Sequence, residues 1–103
     1  MKKFLEKLIP PESRPERVGP RIQAMRMALG LTAAQFADSL DYDRGTLSKV
    51  EQGKNGLDIK VGVNIAGLYG VGLDYIYRGD LSDLPPALRD AVVAALTELL
   101  NQP

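Results

Sequence analysis

Apolar residues recur along this chain at the spacing of helical faces, and no stretch alternates at the period of two that marks a strand. From Arg21 onward, Ile22, Met25 and Leu29 stand at i, i+3 and i+7, one face of a first helix, and Gly30 is placed to end it. Thr32 opens the next. Thr32-Ala33-Ala34-Gln35 has the form of a capping box, with Phe36, Ala37 and Leu40 as the buried face behind it. Asp41-Tyr42 interrupts the period, and Asp43 is suited to cap a third helix occupying residues 43–52, with Leu47 and Val50 inward and Gly53 at its end. Asp58 caps a fourth, from about Ile59 to Tyr69, whose inward residues are read as Ile59, Val63, Ala66 and Tyr69; Gly70 closes it. A short fifth helix spans residues 73–77. Residues 85–100 form a sixth, with Pro85 and Pro86 in its first turn and Leu88, Ala91, Val92, Ala95, Leu96 and Leu99 as a broad apolar stripe. The pattern predicts an all-α fold.

The N-terminal part reads differently. Residues 2–9 have Phe4, Leu5, Leu8 and Ile9 at the spacing of a short helix, but Pro10, Pro11, Pro15, Gly19 and Pro20 follow with charges between them, the composition of a linker. The predicted organisation is therefore an arm over residues 1–20, a helical domain over 21–79 and an appended helix within 80–103.

Charge alters this picture in its distribution rather than its sum. Thirteen basic and thirteen acidic residues cancel over the 103 residues, which is not the basic balance typical of nucleic-acid binding. Residues 1–31, however, carry Lys2, Lys3, Lys7, Arg14, Arg17, Arg21 and Arg26 against Glu6, Glu12 and Glu16, whereas residues 61–103 carry Arg78 and Arg89 against Asp74, Asp80, Asp83, Asp90 and Glu98. One end is suited to phosphate and the other to protein or solvent. Cysteine and histidine are absent, which removes disulfides, thiolate and imidazole metal sites, cysteine nucleophiles and histidine bases. No phosphate loop or nucleophile–base set is present either, so no catalytic residue, metal or cofactor is expected. Glu6 and Lys7 break what would otherwise be the apolar core of a signal peptide, and no run approaches the ~18 apolar residues of a membrane span. A soluble, cytoplasmic protein is the expectation.

Residues 31–54 concentrate the chemistry. Two short helices flank a brief break, Ala37 is small enough for a close crossing, and the second helix ends in Glu51-Gln52-Gly53-Lys54, which is the layout of a helix-turn-helix. Here the chain resembles the phage repressor and Cro family, the XRE or Cro/C1-type helix-turn-helix. The resemblance rests on Gly30-Leu31-Thr32, Phe36-Ala37, Leu40, Thr46-Leu47-Ser48 and Glu51-Gln52-Gly53-Lys54, and continues through Gly70-Val71 and Leu73-Asp74-Tyr75-Ile76, covering residues 21–79. It implies a five-helix lambda-repressor-like DNA-binding domain, here with an extra C-terminal helix and an N-terminal arm.

The resemblance also implies roles. Arg44, Gly45, Thr46, Ser48 and Lys49 fall where members of the family meet base edges, and arginine or lysine pairs well with guanine O6 and N7. Thr32, Ala33 and Gln35 fall at the phosphate-contacting start of the second helix, and Lys54 and Asn55 in the following loop are further phosphate candidates. Arg26 and Glu51 are expected to form a structural ion pair that orients the third helix. The alternatives are solvation of Arg44 beside Asp43 and an intrahelical pair for Lys49. Departures from the family pattern are Asp41 where a glycine is usual, Ala33 where glutamine is common, and Gly45, which supplies only backbone; Gly62 and Gly67 weaken the fourth helix through either tight packing or looseness. The implied function is a transcriptional regulator, a repressor on a two-fold operator of double-stranded DNA, acting as a homodimer. Residues 85–100 either dimerise, bind a protein partner or simply pack onto the core. The competing function is an antitoxin-like or protein-interaction helix-turn-helix module.

Overall fold

The computed structural model describes residues 11–102. The helix expected over residues 2–9 lies outside them. Six α-helices and two short 3-10 turns make up the described chain, with no strand among these residues. The helices are α1 (Pro15–Ala28), α2 (Ala33–Ser39), α3 (Arg44–Glu51), α4 (Ile59–Tyr69), α5 (Leu73–Arg78) and α6 (Pro86–Leu100); the turns are Pro11–Ser13 and Leu81–Asp83.

The first correction concerns α1, which begins at Pro15 and runs through the stretch read as linker. Pro15 occupies the first helical position, where a missing N–H costs nothing and φ is already helical. Pro20 lies inside the helix and forfeits one bond to the carbonyl of the preceding turn, a loss tertiary packing must offset. The packing is tight. Val18 is buried, and a Cβ on Gly19 would stand 2.5 Å from the Val50 carbonyl oxygen and 2.9 Å from that of Glu51. Gly19 thus lets α1 cross the end of α3 backbone to backbone. The proline-rich composition signals a linker, but the residues between the prolines supply a helix contact.

Arg21 fastens the same helix to its surroundings. Its guanidinium pairs with the Glu12 carboxylate and donates to the carbonyls of Glu12 (2.6 Å) and Ile76 (3.2 Å), while the Tyr75 hydroxyl donates to the Arg21 carbonyl at 2.8 Å. A buried charge needs such partners, and burial still lowers the guanidinium's pKa.

The second correction concerns α4. Ile59 and Val63 are exposed, and the buried edge runs through Gly62 and Ile65, with Ala66 and Tyr69 half-buried beside it. Lys60 and Asn64 mark one outward side of this helix, but Ile59, Val63 and Leu68 are exposed with them, so apolar character does not separate the buried face from the exposed one. The deciding contact is invisible in hydropathy: a Cβ on Gly62 would lie 2.5 Å from the Tyr77 hydroxyl, which donates to the Leu57 carbonyl at 3.1 Å. Gly67, by contrast, meets nothing within 4 Å.

The remaining boundaries shift slightly. Helix α3 ends at Glu51 with Gln52 as its cap, and α5 extends to Arg78. Helix α6 packs chiefly against α1, burying Val92 and Ala95 and half-burying Leu88, Leu96 and Leu99, while Ala91 faces out. Its apolar stripe is therefore largely spent on the core.

A candidate nucleic-acid interface on α2 and α3

Local chemistry sets the two short helices. The Thr32 hydroxyl accepts from the Gln35 amide at 3.1 Å, and Gln35 Oε1 accepts from the Thr32 amide at 3.0 Å, completing the capping box. Helix α2 ends at Ser39, with Leu40 as its cap, because Asp41 turns left-handed, with φ of 50°. The Asp41 amide then reaches the Asp38 carbonyl (3.2 Å) and the Tyr42 amide the Ala37 carbonyl (2.9 Å), a Schellman pair closed by an aspartate instead of a glycine. Asp43 caps α3, its carboxylate accepting from the Thr46 amide (2.8 Å) and hydroxyl (3.0 Å). Those bonds, the amide first, hold the Asp43 carboxyl below the usual carboxylate range.

Helix α3 has two distinct sides. Leu47 and Val50 are fully buried in the core with Phe36 and Ala37 of α2. Arg44, Gly45, Ser48 and Lys49 are exposed, and Thr46 is half-buried with its hydroxyl proton committed to Asp43. The Ser48 hydroxyl accepts from Gln52 Nε2 at 2.9 Å, placing Gln52 on the same outward surface. Lys49 has no ion pair among the described residues. Lys54 and Asn55 are exposed just beyond, their amides both bonded to the Lys49 carbonyl. Thr32, Ala33 and Gln35 are exposed at the opposite end of the motif.

The inner edge of α3 is tied down by Arg26. Its Nε and Nη2 donate to the two Glu51 carboxylate oxygens at 2.8 and 2.9 Å, and Nη1 donates to the Leu31 carbonyl at 3.0 Å. Both side chains are largely buried, so one guanidinium joins α1, the α1–α2 turn and the end of α3.

Two surface residues escape reading from sequence. Gln52 enters the sequence pattern only as part of the Glu51–Lys54 helix ending, which says nothing of its place on the outward surface beside Ser48. Asp38 is the larger omission: its carboxylate accepts from Arg44 Nε (3.1 Å) and Nη2 (2.7 Å). Arg44 thus pairs with Asp38 across the turn, and not with neighbouring Asp43. The guanidinium keeps the Asp38 carboxyl below its ordinary range, and Arg44 is raised in return.

Two short capped helices at a fixed angle, the second presenting a polar, partly cationic side, define a DNA-binding helix-turn-helix. A family model described as helix-turn-helix matches residues 22–76, more than half of the chain. The protein belongs to this family, the Cro/C1-type helix-turn-helix DNA-binding regulators. No curated protein and no solved structure matches the chain. Among the described residues no helix is long and apolar enough to cross a membrane.

Proposed function

We propose that the protein is a transcriptional repressor that occupies a two-fold operator as a homodimer, with α3 of each copy in the major groove. The observation that carries this reading is the division of α3: Leu47 and Val50 are sealed in the core while Arg44, Ser48 and Lys49 face out. In this reading Arg44 and Lys49 address base edges, and Gly45 and Ser48 allow close approach of the helix. Thr32, Ala33 and Gln35 meet phosphate at one end of the motif. The capping box uses Thr32 Oγ1 and Gln35 Oε1 as acceptors, which leaves the hydroxyl proton and the amide nitrogen for that contact. Lys54 and Asn55 meet phosphate at the other. The Arg26–Glu51 pair fixes the angle of presentation and touches no base.

Selection of bound sequences from random duplex DNA tests the proposal, since it returns the site and its symmetry together. Replacing Arg44 with alanine is expected to weaken binding to the selected site by ~1–3 kcal/mol and to relax one position of it. Unchanged affinity and preference in Arg44→Ala would remove Arg44 from the reading face. The second reading is a protein-interaction module, favoured by the zero net charge and by the neutralisation of Arg44 by Asp38. A salt titration separates the two, because binding through phosphates weakens steeply as salt rises.

A further inference from the structure

Arginine on a recognition helix is a versatile but loose reader. Its long side chain has many rotamers to choose among, and its donors serve a phosphate as readily as a base. Arg44 stands at the first position of α3 with its side chain in solvent, yet it has a partner. Nε and Nη2 donate side-on to Asp38 Oδ1 and Oδ2, from a different helix of the motif. Asp38 has no other side-chain bond among the described residues, so its orientation serves Arg44 alone.

The edge of the guanidinium used matters. A side-on pair consumes the N–H of Nε and the inner N–H of Nη2. The two parallel N–H donors of the end-on edge, one on Nη1 and one on Nη2, remain directed away from the carboxylate. That edge is the fork that matches guanine O6 and N7. We infer that Asp38 is a specificity-determining positioning residue: it holds the Arg44 guanidinium so that its end-on fork is presented to a guanine and its side-on edge is withheld from phosphate. This rests on the DNA-reading role proposed for α3.

Two opposing effects on binding follow. The Asp38 carboxylate adds negative charge close to the DNA, which lowers affinity for any duplex. The fixed fork raises discrimination, because a guanidinium already bonded on one edge has fewer ways to serve a wrong base. Loss of Asp38 is therefore expected to leave affinity for random DNA unchanged or stronger while selectivity falls. A residue with a merely structural role gives the reverse: weaker binding to every sequence and an unaltered ratio.

The test uses the full chain and duplexes carrying the selected site, or that site with its Arg44-dependent guanine replaced by adenine. In wild type the ratio of the two dissociation constants is expected to be ~5-fold or more, the range of a bidentate contact. In Asp38→Ala the ratio is expected to fall most of the way towards that of Arg44→Ala, with random-sequence binding no weaker than wild type. The double variant should match Arg44→Ala alone, and Asp38→Glu, which keeps the carboxylate, should recover part of the ratio. Thermal melting confirms that each variant folds; Asp38 is exposed, so its replacement leaves the core intact. If Arg44→Ala abolishes the guanine preference while Asp38→Ala retains the wild-type ratio, the positioning role is overturned and the reading role of α3 stands. If no duplex sequence is preferred by wild type, both are overturned.

Discussion

Gly19 and Asp41 are the residues at which the backbone, more than any side chain, sets the shape of the motif. Gly19 has no space for a methyl group, since its Cβ would sit 2.5 Å from one carbonyl oxygen of α3 and 3.0 Å from the Gly53 amide nitrogen. These neighbours are backbone and do not rotate away. Gly19→Ala is expected to push α1 from the end of α3 and to destabilise the protein by ~1–3 kcal/mol, the usual cost of overpacking, read as a lower urea midpoint. A midpoint equal to that of wild type would mean the crossing is looser than described. Asp41 illustrates the complementary case. Its left-handed backbone is a conformation in which aspartate is better tolerated than most residues, so the turn closes without glycine.

At the scale of elements, legibility followed chemistry. Caps and stops show plainly in sequence because a hydroxyl or carboxylate at a helix start acts on its own neighbours. Thr32 with Gln35, Asp43 with Thr46 and Asp58 with the Lys60 amide all do so. Faces are less legible where the inward residue is a glycine. Gly62 offers no hydropathy, yet it seats Tyr77, whereas Ile59 and Val63, which read as inward from their spacing, are exposed. The start of α1 was hidden for the same reason, with Gly19 and two prolines signalling a break. Asp38 stayed unseen because its partner lies on another helix. The seat of Tyr77 has a consequence in alkali. Burial pushes its hydroxyl up to about 12 from an ordinary 10.0. The folded protein therefore holds this proton more tightly than the unfolded chain. Its contribution is complete below pH 10.0 and is lost as pH rises through about 12. Urea midpoints across that window are expected to fall for wild type and to fall less steeply for Tyr77→Phe; parallel profiles would remove Tyr77 from the cause. Tyr75, also raised by burial, leaves a residual slope in the variant.

The whole molecule constrains how two copies can share an operator. Net charge is zero, so affinity for DNA has to come from one local surface, and a second copy is the direct way to double it. Half-sites one duplex turn apart are separated by ~34–36 Å. The described chain measures 43 × 30 × 28 Å, so two copies with either short axis along the duplex fit side by side on one face with little room between them. The spacing is close enough for exposed side chains to meet and too close for the long axis to lie along the DNA without overlap. Binding to a two-fold site should then depend on helical phase. Inserting about 5 base pairs between half-sites, half of the ~10–10.5 of a duplex turn, moves the second copy to the opposite face. Insertion is expected to abolish cooperative binding while leaving each half-site's own affinity intact, and insertion of a full turn should weaken cooperativity less. Equal cooperativity at every spacing would argue for copies joined by a long flexible connection, and no cooperativity at any spacing for a protein that binds as a monomer.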